Sequence, residues 1–241
     1  MKKYIKHIIF VIMAVIITTV SILRVREVSE EAISYMPITN KTIVLDAGHG
    51  GIDSGTSSDD KTIFEKDINL AITLKLKELI EASGGFVVLT RDDDSSLYEE
   101  SSNKTTRQKY NENLKNRKKI ADESNADMFI SIHLNYFTQS KYYGAQTFYS
   151  EGDAESKDLA SCIQDELKRV VDNDNNRVIK PRNDLYLLKD CKMPSALIEC
   201  GFLSNEKEAK LLNDEEYQEK IAWAIYAGIQ KYFEEYEYKN N

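Results

Sequence analysis

The chain has 241 residues, 41% hydrophobic and 30% charged, with 10 Gly and 3 Pro. That supports one sizeable core and excludes a collagen-like or low-complexity protein. The net charge is −8, and Lys2, Lys3, Lys6, Arg24 and Arg26 lie together at the amino terminus with no acid among them. The body is therefore more acidic still, which excludes nucleic acid as a main partner, because phosphate binding needs a basic footprint.

In chain order, the first element is an uncharged run, Ile8 to Leu23, behind a basic start. It would be about 24 Å long as a helix, short for a bilayer span but long for a secretory h-region. No small-x-small cleavage site follows. Residues 1–26 read as a signal-anchor, or as a removable signal peptide, with the body outside the cytoplasm. Residues 27–40 read as a polar linker punctuated by Pro37 and Asn40. The domain is expected over 41–236.

Six short runs then read as strands: TIVLD (42–46), FVVLT (86–90), MFISI (128–132), AQTFY (145–149), LYLL (185–188) and ALIEC (196–200). Several are apolar throughout, as in strands covered on both faces. Helical periodicity runs from Glu65 to Glu81, stopped by Gly84-Gly85, from Thr105 to Ser124, over 154–171, and through Tyr217, Ile221, Ile225, Ile229 and Tyr232. The alternation predicts an α/β single domain: a sheet with helices on both faces.

His49 and His133, the two histidines of the body, each directly follow a strand, and Glu199 ends another. Sites in open α/β sheets gather beyond the carboxyl ends of strands, so these residues converge. Two imidazoles and a carboxylate suit zinc with one open position. Asp46, Asp53, Glu65 and Glu199 all remain open as the third ligand. Glu199 stands out because it interrupts the apolar stretch PSALIECGFL, where a carboxylate needs a partner. Gly48, Gly50 and Gly51 permit close backbone approach. A phosphate loop is the rival, but GHGG lacks a Walker lysine and the GxGxxG pattern. Cys162, Cys191 and Cys200 are odd in number and widely spaced, so they make neither a disulfide framework nor a zinc-thiolate motif. Cys200 as a hydrolase nucleophile would need a free histidine. Arg117 shares a stripe with Leu114 and Ala121, where an arginine snorkels or pairs with a buried carboxylate.

Five blocks in order, VLDAGHGG, EKDINLAI, ADMFISIHLN, GAQTFY and PSALIECGFLSN, resemble the zinc-dependent N-acetylmuramoyl-L-alanine amidases of the amidase-3 family. The resemblance covers the whole body and is greatest to the CwlD-type sporulation- and germination-specific branch. It implies a mixed six-stranded sheet, one zinc ion held by His49, Glu65 and His133, and a catalytic role for Glu199. It implies peptidoglycan as substrate, cleaved between the lactyl group of muramic acid and L-alanine, in preparation of muramic-δ-lactam in the spore cortex. An accessory or activating lipoprotein is an expected partner, and the forespore intermembrane space the expected location. Arg117, Asn135 and Gly144 are expected to support the site or bind substrate. Some family members carry an occluding helix after the third ligand. Here LNYFTQSKYYG is too short for one, so no such lid is expected. A zinc peptidase acting on stem peptides is the enzymatic rival, although H-E-x-x-H is absent. A non-catalytic wall-binding protein is the other.

Overall fold

Val44 and Leu45 are neighbours in one apolar run, yet they are buried in different cores. Successive side chains of a strand point to opposite faces, so a strand covered on both sides is apolar on both faces wherever it meets a core. A computed structural model of the chain describes residues 2–34, 37–99 and 103–240. It shows that arrangement in β1 (Thr42–Ala47), β3 (Met128–Asn135) and β6 (Ser195–Phe202). With β2 (Phe86–Leu89), β4 (Gln146–Tyr149) and β5 (Lys180–Pro181) they form one six-stranded sheet in the order β2-β1-β3-β6-β4-β5. The first four strands of that order are parallel. β4 runs antiparallel to β6, and β5 parallel to β4, so the sheet is mixed.

One face carries the larger core. Ile43, Leu45, Ile130, Ile132, Ala196 and Ile198 meet α2 (Glu65–Ala82), α4 (Ala154–Val170) and α6 (Glu215–Asn240) there. The other face carries Val44, Phe129, Phe148 and Leu197, covered by Ala121 of α3 (Thr106–Glu123) and by Leu187, Leu188 and Met193. α5 (Glu206–Leu212) follows β6 and packs against it. Thr105 caps α3 through a reciprocal capping box with Gln108, which satisfies two otherwise free backbone donors.

The second face changes character toward the carboxyl edge of the sheet. Asp46 follows Val44 on that face, Ser131 and His133 follow Phe129, and Glu199 follows Leu197. The strand period of two carries these polar side chains onto the α3 side, just beyond its apolar core. In the β3–β6 register His133 stands opposite Glu199.

One expectation is corrected and another is left without support. LYLL is not a strand: Leu187 and Leu188 lie in a turn and plug the smaller core. The sixth strand is instead the exposed pair Lys180–Pro181. The amino-terminal segment does form a helix, α1 (Lys2–Ser34). However, no helix among the described residues is long and apolar enough to cross a membrane, so the expected membrane segment finds no support. Residues 35 and 36 of the expected linker lie outside the described residues. The body takes in Ile38, fully buried in the larger core, and Asn40, whose N–H donates to Gly84 O at 3.0 Å.

Candidate metal centre

The turn after β1 and the first residue of α2 bring the first two groups together. His49 has φ 63°, a left-handed conformation unusual for a non-glycine and worth about 1–2 kcal/mol of strain. Its Nε2 lies 3.2 Å from Glu65 Oε1. His133, at the carboxyl end of β3, places Nδ1 3.0 Å from the same oxygen. The two imidazole rings meet edge to face, 5.0 Å between centroids.

Glu65 begins α2 but does not cap it. Oε2 accepts the N–H of Thr56 at 2.8 Å, and Oε1 accepts the N–H of Leu134 at 3.0 Å. The Asn69 amide donates to Oε1 as well, at 3.3 Å. The carboxylate is thus fixed by donors from three segments. Burial would raise its pKa, but the two histidines outweigh that and hold it well below the usual carboxylate range.

Gly48 and Gly55 make this closeness sterically possible. A Cβ on Gly48 would lie only 2.3 Å from the His133 ring, and one on Gly55 would press on Glu65 and His49.

The donor set fits a zinc ion. One ligand atom from each of His49, Glu65 and His133 lies within 4.8 Å of the others. Donors sharing a tetrahedral zinc at about 2.0–2.2 Å stand roughly 3.3 Å apart, close to the observed 3.0 and 3.2 Å. Electrostatics agree. Burial disfavours charge on His49, yet Asp53, whose Oδ2 is 2.9 Å from His49 Nδ1, and Glu65 raise its pKa to about 10. Surroundings that favour a protonated imidazole this strongly favour a cation.

Of the four carboxylates open as third ligand, only Glu65 reaches both histidines. Asp46 is fully buried and committed elsewhere, accepting from Thr90 Oγ1 and Ser131 Oγ at 2.7 Å each and from Arg117 Nη1 at 2.8 Å. Asp53 sits on the far side of His49. Glu199 is part-buried, and its Oε2 is buried without a hydrogen-bond partner among the described residues. Burial and the Glu65 charge lift its pKa to about 7, against the histidines and Arg182. A carboxylate poised there both takes and gives protons near neutrality.

Arg117 lies behind the centre, with Nη2 donating to His49 O and Nη1 to Ala47 O at 2.6 Å. Asn135 is half-buried two residues past His133, its carbonyl accepting the Leu203 N–H at 3.0 Å. Gly144 is committed elsewhere, its N–H donating to Glu208 Oε1 at 2.8 Å. Residues 136–143 contain no helix. Cys200 points into the larger core, and burial pushes its thiol pKa well up, the opposite of a nucleophilic thiolate.

Two contributors were not singled out from sequence. Arg91 donates to Ala47 O and Gly48 O, and Asn69 bridges Gly48 O and Glu65. Each carried a signal: Arg91 directly follows an apolar strand, as His49 and His133 do, and Asn69 is one helical turn beyond Glu65.

Comparison with known proteins covers nearly all of the body. The family model of N-acetylmuramoyl-L-alanine amidase matches residues 43–231. The germination-specific N-acetylmuramoyl-L-alanine amidase of Bacillus subtilis is 40% identical over 200 residues, 83% of each chain. The CwlD amidase of Clostridioides difficile, solved in complex with the GerS lipoprotein, is 75% identical with a TM-score of 0.80, over 80% of this chain and 98% of that one. The catalytic domain of CwlV, an N-acetylmuramoyl-L-alanine amidase from Bacillus (Paenibacillus) polymyxa var. colistinus, is 32% identical with a TM-score of 0.66, over 80% and 97%. With the matched region spanning both histidines, Glu65 and Glu199, the chain belongs to the N-acetylmuramoyl-L-alanine amidase family.

Proposed function

We propose that this chain hydrolyses the amide between the lactyl group of N-acetylmuramic acid and L-alanine in peptidoglycan, with one zinc ion held by His49, Glu65 and His133. The observation that carries this reading is their convergence beside Glu199, whose Oε2 has no hydrogen-bond partner among the described residues. Bound there, zinc supplies Lewis-acid polarisation of a carbonyl and acidifies a water. Glu199 takes the proton from the attacking water as the new C–O bond forms. It then returns that proton to the L-alanine nitrogen as the C–N bond breaks. The products are a peptide-free muramic acid and a stem peptide with a free amino terminus. Asp53 holds His49 from its other nitrogen, the outer-sphere support that fixes a ring's orientation.

Product analysis on purified peptidoglycan tests the reaction. New amino termini are expected on L-alanine alone. Cleavage within the stem would identify a peptidase instead, and intact glycan-bound stems with retained binding would identify a wall-binding protein.

The cellular reading rests on the similarity to germination-specific and CwlD amidases. We place the chain outside the cytoplasm, directed there by residues 1–26 as a signal-anchor or signal peptide, where it prepares muramic-δ-lactam in spore cortex with a lipoprotein partner. Deleting its gene in the host is expected to remove muramic-δ-lactam from the cortex. Fractionation is expected to find the chain outside the cytoplasm. A lactam-replete cortex, or a cytoplasmic chain, would contradict this placement.

A further inference from the structure

Three successive carbonyls, Ala47 at the end of β1 and Gly48 and His49 beyond it, are gripped by two arginines from different parts of the chain. Arg91, just beyond β2, donates Nε to Ala47 O at 2.9 Å and Nη2 to Gly48 O at 3.1 Å and to Lys66 O at 2.7 Å. Arg117, from α3, donates Nη1 to Ala47 O at 2.6 Å and to Asp46 at 2.8 Å, and Nη2 to His49 O. Both side chains are buried, with exposures of 3% and 1%. Each bridges two of the three carbonyls, Arg91 those of Ala47 and Gly48 and Arg117 those of Ala47 and His49, which a planar guanidinium fork does and an ammonium does not. The gripped turn is the one that runs left-handed through His49, Gly50 and Gly51. Asn69 links it onward, donating to Gly48 O at 3.2 Å and to Glu65.

We infer that Arg91 and Arg117 are positioning residues that clamp the Ala47–His49 turn, hold His49 in its left-handed conformation with Nε2 facing Glu65, and thereby set the zinc affinity of the centre. This rests on the zinc reading above. Neither arginine is assigned to substrate or to proton transfer. Their role is to convert a strained turn into a fixed ligand mount, and the requirement is for the fork rather than for positive charge alone.

The test is zinc titration of the metal-free full chain, in competition with a chromophoric chelator, with thermal melts of the same metal-free samples. R117K and R91K each keep a cation near the carbonyls but lose the fork. Each is expected to bind zinc about 10–100-fold more weakly while the metal-free chain still melts cooperatively. I229V thins the larger core at a side chain of α6 that is fully buried and that bonds neither clamp, so it is expected to lower the melting temperature and keep wild-type zinc affinity. If R117K does not fold, R91K carries the same expectation. Wild-type affinity in a folded lysine variant would overturn the clamp. So would a loss in I229V as large as in R117K, because affinity would then merely follow stability. A wild-type chain that binds no zinc would overturn the metal reading itself, a result distinct from either.

Discussion

Glu208 shows how much a single buried side chain does outside the chemistry. Its Oε1 accepts the Gly144 N–H and its Oε2 the Phe202 N–H, each at 2.8 Å, so one carboxylate ties the approach to β4 to the end of β6. Gly144 has φ 88°, and a Cβ there would press on the Asn175 amide. Its glycine is explained by this tie rather than by contact with the histidines. Burial lifts the Glu208 pKa from 4.5 to about 7, against the two N–H bonds and Arg177. A carboxyl with a raised folded pKa contributes stability that is complete below the unfolded value, about 4.5, and lost as pH rises through about 7. The amount is roughly 3 kcal/mol. Denaturant titrations of wild type and E208Q at about pH 5 and about pH 8 measure it. The wild-type advantage over E208Q is expected to shrink by that amount at the higher pH. A gap that does not change with pH would contradict it.

Among the elements, legibility in the sequence followed burial. β1, β3 and β6 are covered on both faces and read as largely apolar runs, with Asp46, Ser131, His133 and Glu199 set among them. α2 carries a broad apolar face at Ile68, Ile72, Leu76 and Ile80, all buried. β5 is two exposed residues at the sheet edge, paired through the backbone, and side-chain patterning holds no trace of such a strand. The run at 185–188 has strand composition because its leucines are buried. Composition registers burial and not the hydrogen-bonding partner, so a turn that plugs a core reads like a strand. α5 spans only Glu206–Leu212, two turns, too short for periodicity to declare itself. The site was legible in its histidines, since both follow apolar strands. The third ligand was not, because Asp46, Asp53, Glu65 and Glu199 are equivalent as residue types. Only the fold turns Glu65 toward both imidazoles and commits Asp46 to Arg117, and only family resemblance separated them beforehand.

At the scale of the whole molecule, strand parity unites fold and chemistry. The face that buries Val44, Phe129 and Leu197 presents Asp46, Ser131 and Glu199 one same-face step further on, and His133 one step beyond Ser131. The smaller core and the reaction centre are consecutive stretches of the same strands, and the rigidity of the first positions the second. The acidic body, at −8 for the chain, fits a partner other than nucleic acid. The central claim divides the four site residues into three that hold zinc and one that moves a proton. It is tested most directly by assaying wild type and E199A side by side on peptidoglycan, with zinc content measured on the same samples. The account predicts about one zinc per chain in both, with release of L-alanine amino termini lowered roughly 10²–10⁴-fold in E199A. Zinc lost from E199A, or cleavage at the wild-type rate without Glu199, would contradict it.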